Sequence, residues 1–170
     1  MKNVIYLVIS AIIFISCEAK VEVKEKVDVK IDKEAINKML DAWHKSAAEA
    51  NFETYFNAMS GKSIFIGTDA SENWNINEFK DFSKPYFDKG KAWSFTAIER
   101  NIYFNDNVAW FDELLDTHMG VCRGSGVLTK NENSWVIEHY VLSLTIPNDN
   151  IDAVKLINKE KDSLFLNSFK

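Results

Sequence analysis

Four long runs in the second half of the chain set the limits on what it can fold into. They read KAWSFTAIERNIYF, NVAWFDELLD, MGVCRGSGVLTK and SWVIEHYVLSLTI. Each is rich in β-branched and aromatic residues, and each alternates in the way a half-buried strand does. The separators NDN, TH and NENS are turn-type and far too short for a crossover. Successive strands joined this tightly must pair antiparallel, as a meander. RGSG places two glycines inside the third strand, which predicts a bulge or a sharp bend.

What precedes Gly90 supplies the cover for such a sheet. Asp32 is placed to cap a helix from Lys33, in which Ile36, Met39, Leu40, Trp43 and Ala47 recur at helical spacing. NFETYFNAM makes a short second helix, with Phe52, Tyr55, Phe56 and Met59 on one side. KSIFIGTDA reads as a strand over Ser63–Gly67 that runs into a turn. NINEFKDFSKPYFDKG is a third helix carrying Phe79, Phe82 and Phe87, expected to kink or restart at Pro85, which has no amide hydrogen. Residues 150–170 form a polar helix capped at Asn148 or Asp149. Helices first and a long antiparallel sheet afterwards define an α+β fold. A strongly bent sheet wrapped around helices is a cone with an open end. With 46% hydrophobic and 13% aromatic residues, about 140 residues suffice for one good core.

The chain starts MKNVIYLVISAIIFISCEAK. Its apolar run, Val4 to Ile15, is short for a membrane-spanning helix, which needs about 20 apolar residues. It fits the apolar region of a secretory signal. A small residue directly before a cysteine at the end of that run resembles a bacterial lipoprotein signal. The resemblance implies a signal peptide over 1–16, a lipid on Cys17 and attachment to a membrane of the cell envelope. Residues 17–32 would then be the anchor and a charged tether. Cys17 and Cys122 are the two cysteines, so acylation of Cys17 leaves Cys122 without a disulfide partner. A formal charge of -5 without a basic cluster argues against nucleic acid, whose binding depends on phosphate neutralisation.

The order of elements, with AW and AAEANFETYFNAM in the first helices, then FIGTDASENW, VAWFDE, RGSGVL and the closing W-x-I-x-H with LS, resembles the SnoaL-like branch of the nuclear transport factor 2-like superfamily. The resemblance covers 33–149. It implies a cone-shaped, cystatin-like fold, frequently dimeric through its sheet, with a pocket between the concave face and the helices. Members include cyclases, isomerases, dehydratases and non-catalytic binding domains, so it implies a pocket and no particular reaction. Many SnoaL-like sequences carry a histidine two residues before the closing serine. Here Val141 stands there, and the histidine is His139.

Strand parity places Trp110 with Asp112, Arg123 with Ser125, and Trp135 with His139. Trp135, Ile137 and Val141 resemble the family's inner wall, so His139 is expected to face the interior and Glu138 to face outward. If the Trp110 and Arg123 faces are concave too, these residues form a polar cluster in an aromatic-lined cavity, with Trp74 closing over the core. Asp112 or His139 would then serve as acid or base, and Arg123 would anchor a ligand carboxylate or neutralise Asp112. The plainer alternative is a buried Asp–Arg pair with His139 bonded to a neighbour. His44, His118 and His139 show no metal-ligand spacing, and no cofactor is implied. Cys122 beside Arg123 reads as an inert strand thiol. Three functions stay open: a non-catalytic envelope lipoprotein binding a small apolar or amphipathic molecule, an acid/base enzyme of isomerase, cyclase or dehydratase type, and a structural protein docking a partner through its sheet. Large apolar groups on both faces of the strands, Trp110 and Leu114 on one and Phe111 and Leu115 on the other, predict a homodimer.

Overall fold

A computed structural model describes residues 29–132 and 134–170. The expected signal peptide, the lipidation of Cys17 and most of the tether lie outside the described residues. Helix α1 spans Val29–Ala48, α2 Phe52–Asn57, α3 Ile76–Asp88 and α4 Ile151–Asn167. The strands are β1 Met59–Ile66, β2 Asn73–Asn75, β3 Phe95–Asn105, β4 Val108–Thr117, β5 Gly120–Asn131 and β6 Ser134–Leu144. They form one curved sheet in the order β2-β1-β6-β5-β4-β3. The meander β3–β6 is antiparallel throughout, whereas β1 runs parallel to β6. Helices α1, α2 and α3 lie inside the curve, so the α+β cone read from the sequence is the fold.

Helix α1 buries Ile36, Leu40, Trp43 and Ala47 completely or nearly so, as their spacing predicts. It starts earlier than expected, so Asp32 lies inside its first turn and does not cap it. Instead Asp32 accepts from the Trp135 indole at 2.8 Å and the Lys130 ammonium at 2.6 Å, tying the helix to the β5–β6 hairpin. In α3 the capping box between Asn75 and Glu78 starts a helix that continues through Pro85 without the restart that was one of the two expected outcomes. The bond that proline cannot donate would go to residue 81. Both positions are exposed, so water can satisfy the freed carbonyl. Inside the cone the helices and sheet meet through aromatic rings. Trp43 stacks on Tyr55 at 5.0 Å and Phe65 on Phe79 at 3.9 Å.

Parity decides which strand residues face this core. On β4 the buried set is Ala109, Phe111, Glu113 and Leu115, and on β5 it is Cys122, Gly124, Gly126 and Leu128. On β6 the inward set changes phase, because Val127 faces His139 while Leu128 faces Ile137. Glu138 is the extra residue of a bulge. Trp135 and Ile137 therefore share the inner face with Tyr140 and Leu142, and His139 turns outward. The glycines suggested a bulge on β5, but it falls on β6, opposite Val127–Leu128 and just beyond Gly126. Gly124 and Gly126 answer to crowding. A β-carbon at Gly126 would lie 2.6 Å from the His139 carbonyl oxygen and 2.7 Å from the Phe111 ring.

Helix α4 follows a 3-10 turn, Asn148–Asn150, without the side-chain cap expected from Asn148 or Asp149. Its Val154 and Ile157 line an open groove of about 700 Å³ with Ile66, Val141 and Ile146. It leaves Ile98, Tyr103, Trp110 and Val121 on the outer sheet exposed.

Candidate functional site

Two features occupy the interior, a buried ionic cluster and a cavity at the mouth. The cluster centres on Glu113, in the middle of the inner row of β4 and 1% exposed. One carboxylate oxygen accepts from His44 Nε2 at 2.8 Å and from the Tyr140 hydroxyl at 3.0 Å. The other accepts from Arg100 Nε at 2.8 Å. Arg100 sits directly across on β3 and continues to Asp41 and Asn37 of α1. The cluster thus joins β3, β4, β6 and α1 at one carboxylate. Burial pushes the Glu113 carboxyl upward most strongly, but the bond and charge of His44 and the charge of Arg100 together hold it below the usual range. Burial, and then the charge of Glu113, push the Tyr140 phenol well above its ordinary value, so it remains a donor.

That carboxylate is saturated with donors and sealed from solvent, which suits anchoring better than proton transfer. Gly124 explains how the cluster fits. A β-carbon there would come within 2.2 Å of the Tyr140 hydroxyl and 2.9 Å of the carboxylate of Glu113. Glu113 was passed over in the sequence, and the pair of glycines on β5 is the one trace of it that the sequence carries. On β5, Gly124 and Gly126 stand opposite Glu113 and Phe111, small beside large, which marks the crowded face of β4 as the one carrying them.

The cavity, about 220 Å³, lies where β1 and β6 end and the β4–β5 turn begins. Trp74, Phe79, Phe82, Tyr86, Trp93 and Phe95 line it, with Glu72, Thr68 and His118 among its polar residues. Trp74 stacks on Phe82 at 4.3 Å, and Phe65 closes the wall beside Tyr140. Phe95 touches the His44 ring on one side and lines the cavity on the other, so an aromatic layer separates the cavity from the ionic cluster.

The residues expected to make one polar cluster are spread over the molecule. Trp74 lines the mouth cavity, as its place after the turn suggested. Trp135 is inward but at the opposite end, bonded to Asp32. Trp110, Asp112, Arg123 and His139 all lie on the convex face. His139 sits in a row that runs Ile64, His139, Val127, Trp110, Tyr103 across five strands. Asp112 accepts from Asn101 at 3.3 Å, and Arg123 is exposed opposite Leu114, so the expected Asp112–Arg123 pair gives way to Asn101 as the partner. The Trp110 face of β4 is convex, and because both faces of that strand carry large apolar groups, alternation does not select the concave one. Cys122 is buried with its sulfur near the Thr117 hydroxyl. Among the described residues, no three His, Cys, Asp or Glu side chains gather as a metal site.

A curved six-stranded sheet closed by helices, with an aromatic cavity at its mouth, defines a cone-shaped α+β domain of the cystatin-like class. The sequence pattern of the SnoaL-like domain matches residues 36–147, and the chain belongs to that family. No curated protein matches the sequence. Among solved structures, an NTF2-like protein of unknown function from Pseudomonas putida KT2440 superposes with a TM-score of 0.60 at 8% identity, covering 71% of this chain and 92% of its own. A dehydratase candidate of the NTF2-like family from Streptomyces avermitilis superposes at 0.61 and 10% identity, covering 69% and 99%. A protein with a cystatin-like fold from Nostoc punctiforme reaches 0.57 at 12%, covering 68% and 92%. At such identities the likeness concerns the fold.

Proposed function

We propose that this chain is an envelope-anchored lipoprotein whose SnoaL-like domain binds a small apolar or amphipathic molecule without transforming it. The observation that carries the reading is the aromatic cavity at the mouth, separated by Phe95 from the ionic cluster around Glu113. Binding pockets are concave and largely apolar, with a few polar groups to orient the ligand. At about 220 Å³ this one suits a molecule smaller than drug size, or the head of a longer one. Asp112 and His139 face outward, so an acid/base role within the cone would not fall to them. The dehydratase-type alternative rests on fold likeness alone. Attachment to the envelope rests on the sequence around Cys17.

A second copy of the chain is the partner we propose for the convex face. Ile98, Tyr103, Trp110 and Val121 are exposed there. Arg123 is exposed on the same face as Asp112 and Glu99. In a two-fold contact the same patch meets itself, so a surface carrying both signs beside apolar groups is self-complementary. Native mass spectrometry of the protein from its own membranes tests the ligand reading. A retained small molecule that Trp74→Ala releases is expected. An empty protein that also takes up no toluene or indole would overturn it.

A further inference from the structure

The wall of the mouth cavity itself carries charge of one sign; the Lys89 ammonium lies outside the lining, 5.7 Å from the centroid of the Tyr86 ring. Fourteen residues line it; seven are aromatic, one is a carboxylate, and none is Lys or Arg. His118, exposed at the rim, is the one lining side chain able to become positive. The carboxylate belongs to Glu72, half-buried in the turn between β1 and β2. Its backbone closes that turn twice, through Gly67 N–H to Glu72 O at 2.9 Å and Glu72 N–H to Asp69 O at 2.9 Å. Its Oε2 accepts from the Asp69 amide at 3.1 Å, which fixes the side chain against the loop. Gly67 makes the approach possible, since a β-carbon there would lie 2.1 Å from that oxygen. The carboxylate is therefore held at the cavity wall by a neutral donor, and no Lys or Arg lines the wall beside it.

Each of these features favours the same kind of guest. Aromatic faces carry the negative lobe of the ring quadrupole and attract cations, most strongly when water is excluded. A half-buried carboxylate adds attraction for a cation and repulsion for an anion. The polarizable sulfur of Met119 at the wall opposes neither. The volume corresponds to about seven waters at their liquid share, room for a compact head group. We infer that the mouth cavity is a site for a small organic cation, a quaternary or protonated alkylammonium group, bound by Glu72 and the rings of Trp74, Phe82 and Trp93. This deepens the ligand-binding reading above and rests on it.

A matched set of probes separates charge from shape. Choline and its uncharged isostere 3,3-dimethyl-1-butanol, with 3,3-dimethylbutanoate as the anion, would be titrated into the full-length protein by ligand-observed NMR. Choline is expected to bind about tenfold or more tighter than the neutral isostere, the anion weakest. Glu72→Gln, which keeps an acceptor for the Asp69 amide, should narrow the choline preference to a few-fold. Binding of the neutral probe to that variant reports that the cavity still forms. Equal binding of choline and the isostere, or a preference for the anion, would overturn the cation site while leaving the pocket in place. Failure of all three, with toluene still bound, would do the same. Failure of all four would overturn the pocket as well.

Discussion

Replacing Glu113 by glutamine tests whether the ionic cluster holds the cone together. The change keeps shape but removes the charge and turns one acceptor oxygen into a donor. With the remaining oxygen on Arg100, the new amide group confronts His44 Nε2 and the Tyr140 hydroxyl, which now donate at 2.8 and 3.0 Å. Those two bonds must break or reverse, and Arg100 keeps a neutral acceptor in place of a carboxylate. Hydrogen bonds to charged groups contribute about 1.5–3 kcal/mol each, and breaking a buried ion pair costs about 3–5 kcal/mol. Partial repair through the His44 tautomer and the exposed Asp41 on Arg100 argues for the low end, about 3 kcal/mol. For a domain of this size that lowers Tm by roughly 10 °C.

The pH dependence gives a second, signed readout. The folded carboxyl is held below its unfolded value, so its contribution is complete above the unfolded pKa and disappears as pH falls through the folded one. Urea denaturation should show the full gap between wild type and Glu113→Gln at pH 7. The gap should shrink from about pH 4.5 downward. Asp32, also held low against the upward push of burial by Lys130 and Trp135, titrates in both proteins and cancels in the difference. A loss under about 1 kcal/mol at pH 7, or a gap that widens in acid, would refute the reasoning.

Tyr140→Phe removes one donor and leaves His44 on the same oxygen, so a loss of about 1 kcal/mol by the same denaturation is expected. Gly126→Ala should cost several times more than Gly61→Ala, measured as the shift in urea midpoint, because its β-carbon meets backbone and a buried ring while Gly61 faces open space. For the convex face, sedimentation of the chain from Val29 onward should give a dimer at micromolar concentration. Arg123→Glu should dissociate it, and adding Asp112→Arg should restore it; an unaltered monomer throughout would leave that face without a second copy. Cys17→Ala should abolish incorporation of radioactive palmitate and shift the protein out of the membrane fraction, and undiminished labelling would remove the anchor.

Local chemistry was enough for the sequence to determine the four helices and the meander strands in their order. It was not enough for the short strand β2 or the start of β1 at Met59, which was read as helix. The spacing of Ile36, Leu40, Trp43 and Ala47 can bury one face only as a helix, and tight separators leave four alternating runs no pairing but a meander. The contents of the interior depended on which face of each strand is concave, and alternation leaves that undecided when both faces are apolar, as on β4. One bulged residue, Glu138, then reversed the phase of β6 and carried His139 outward, while its side chain bonded Ser60 and Thr129. No periodicity within β6 records that extra residue, because its cause is the pairing of β6 with β5. The glycines on β5 held the missing information in pairwise form. Gly124 and Gly126 are small because Glu113, Tyr140 and Phe111 from neighbouring strands occupy their space, and that relation exists only once the sheet is assembled.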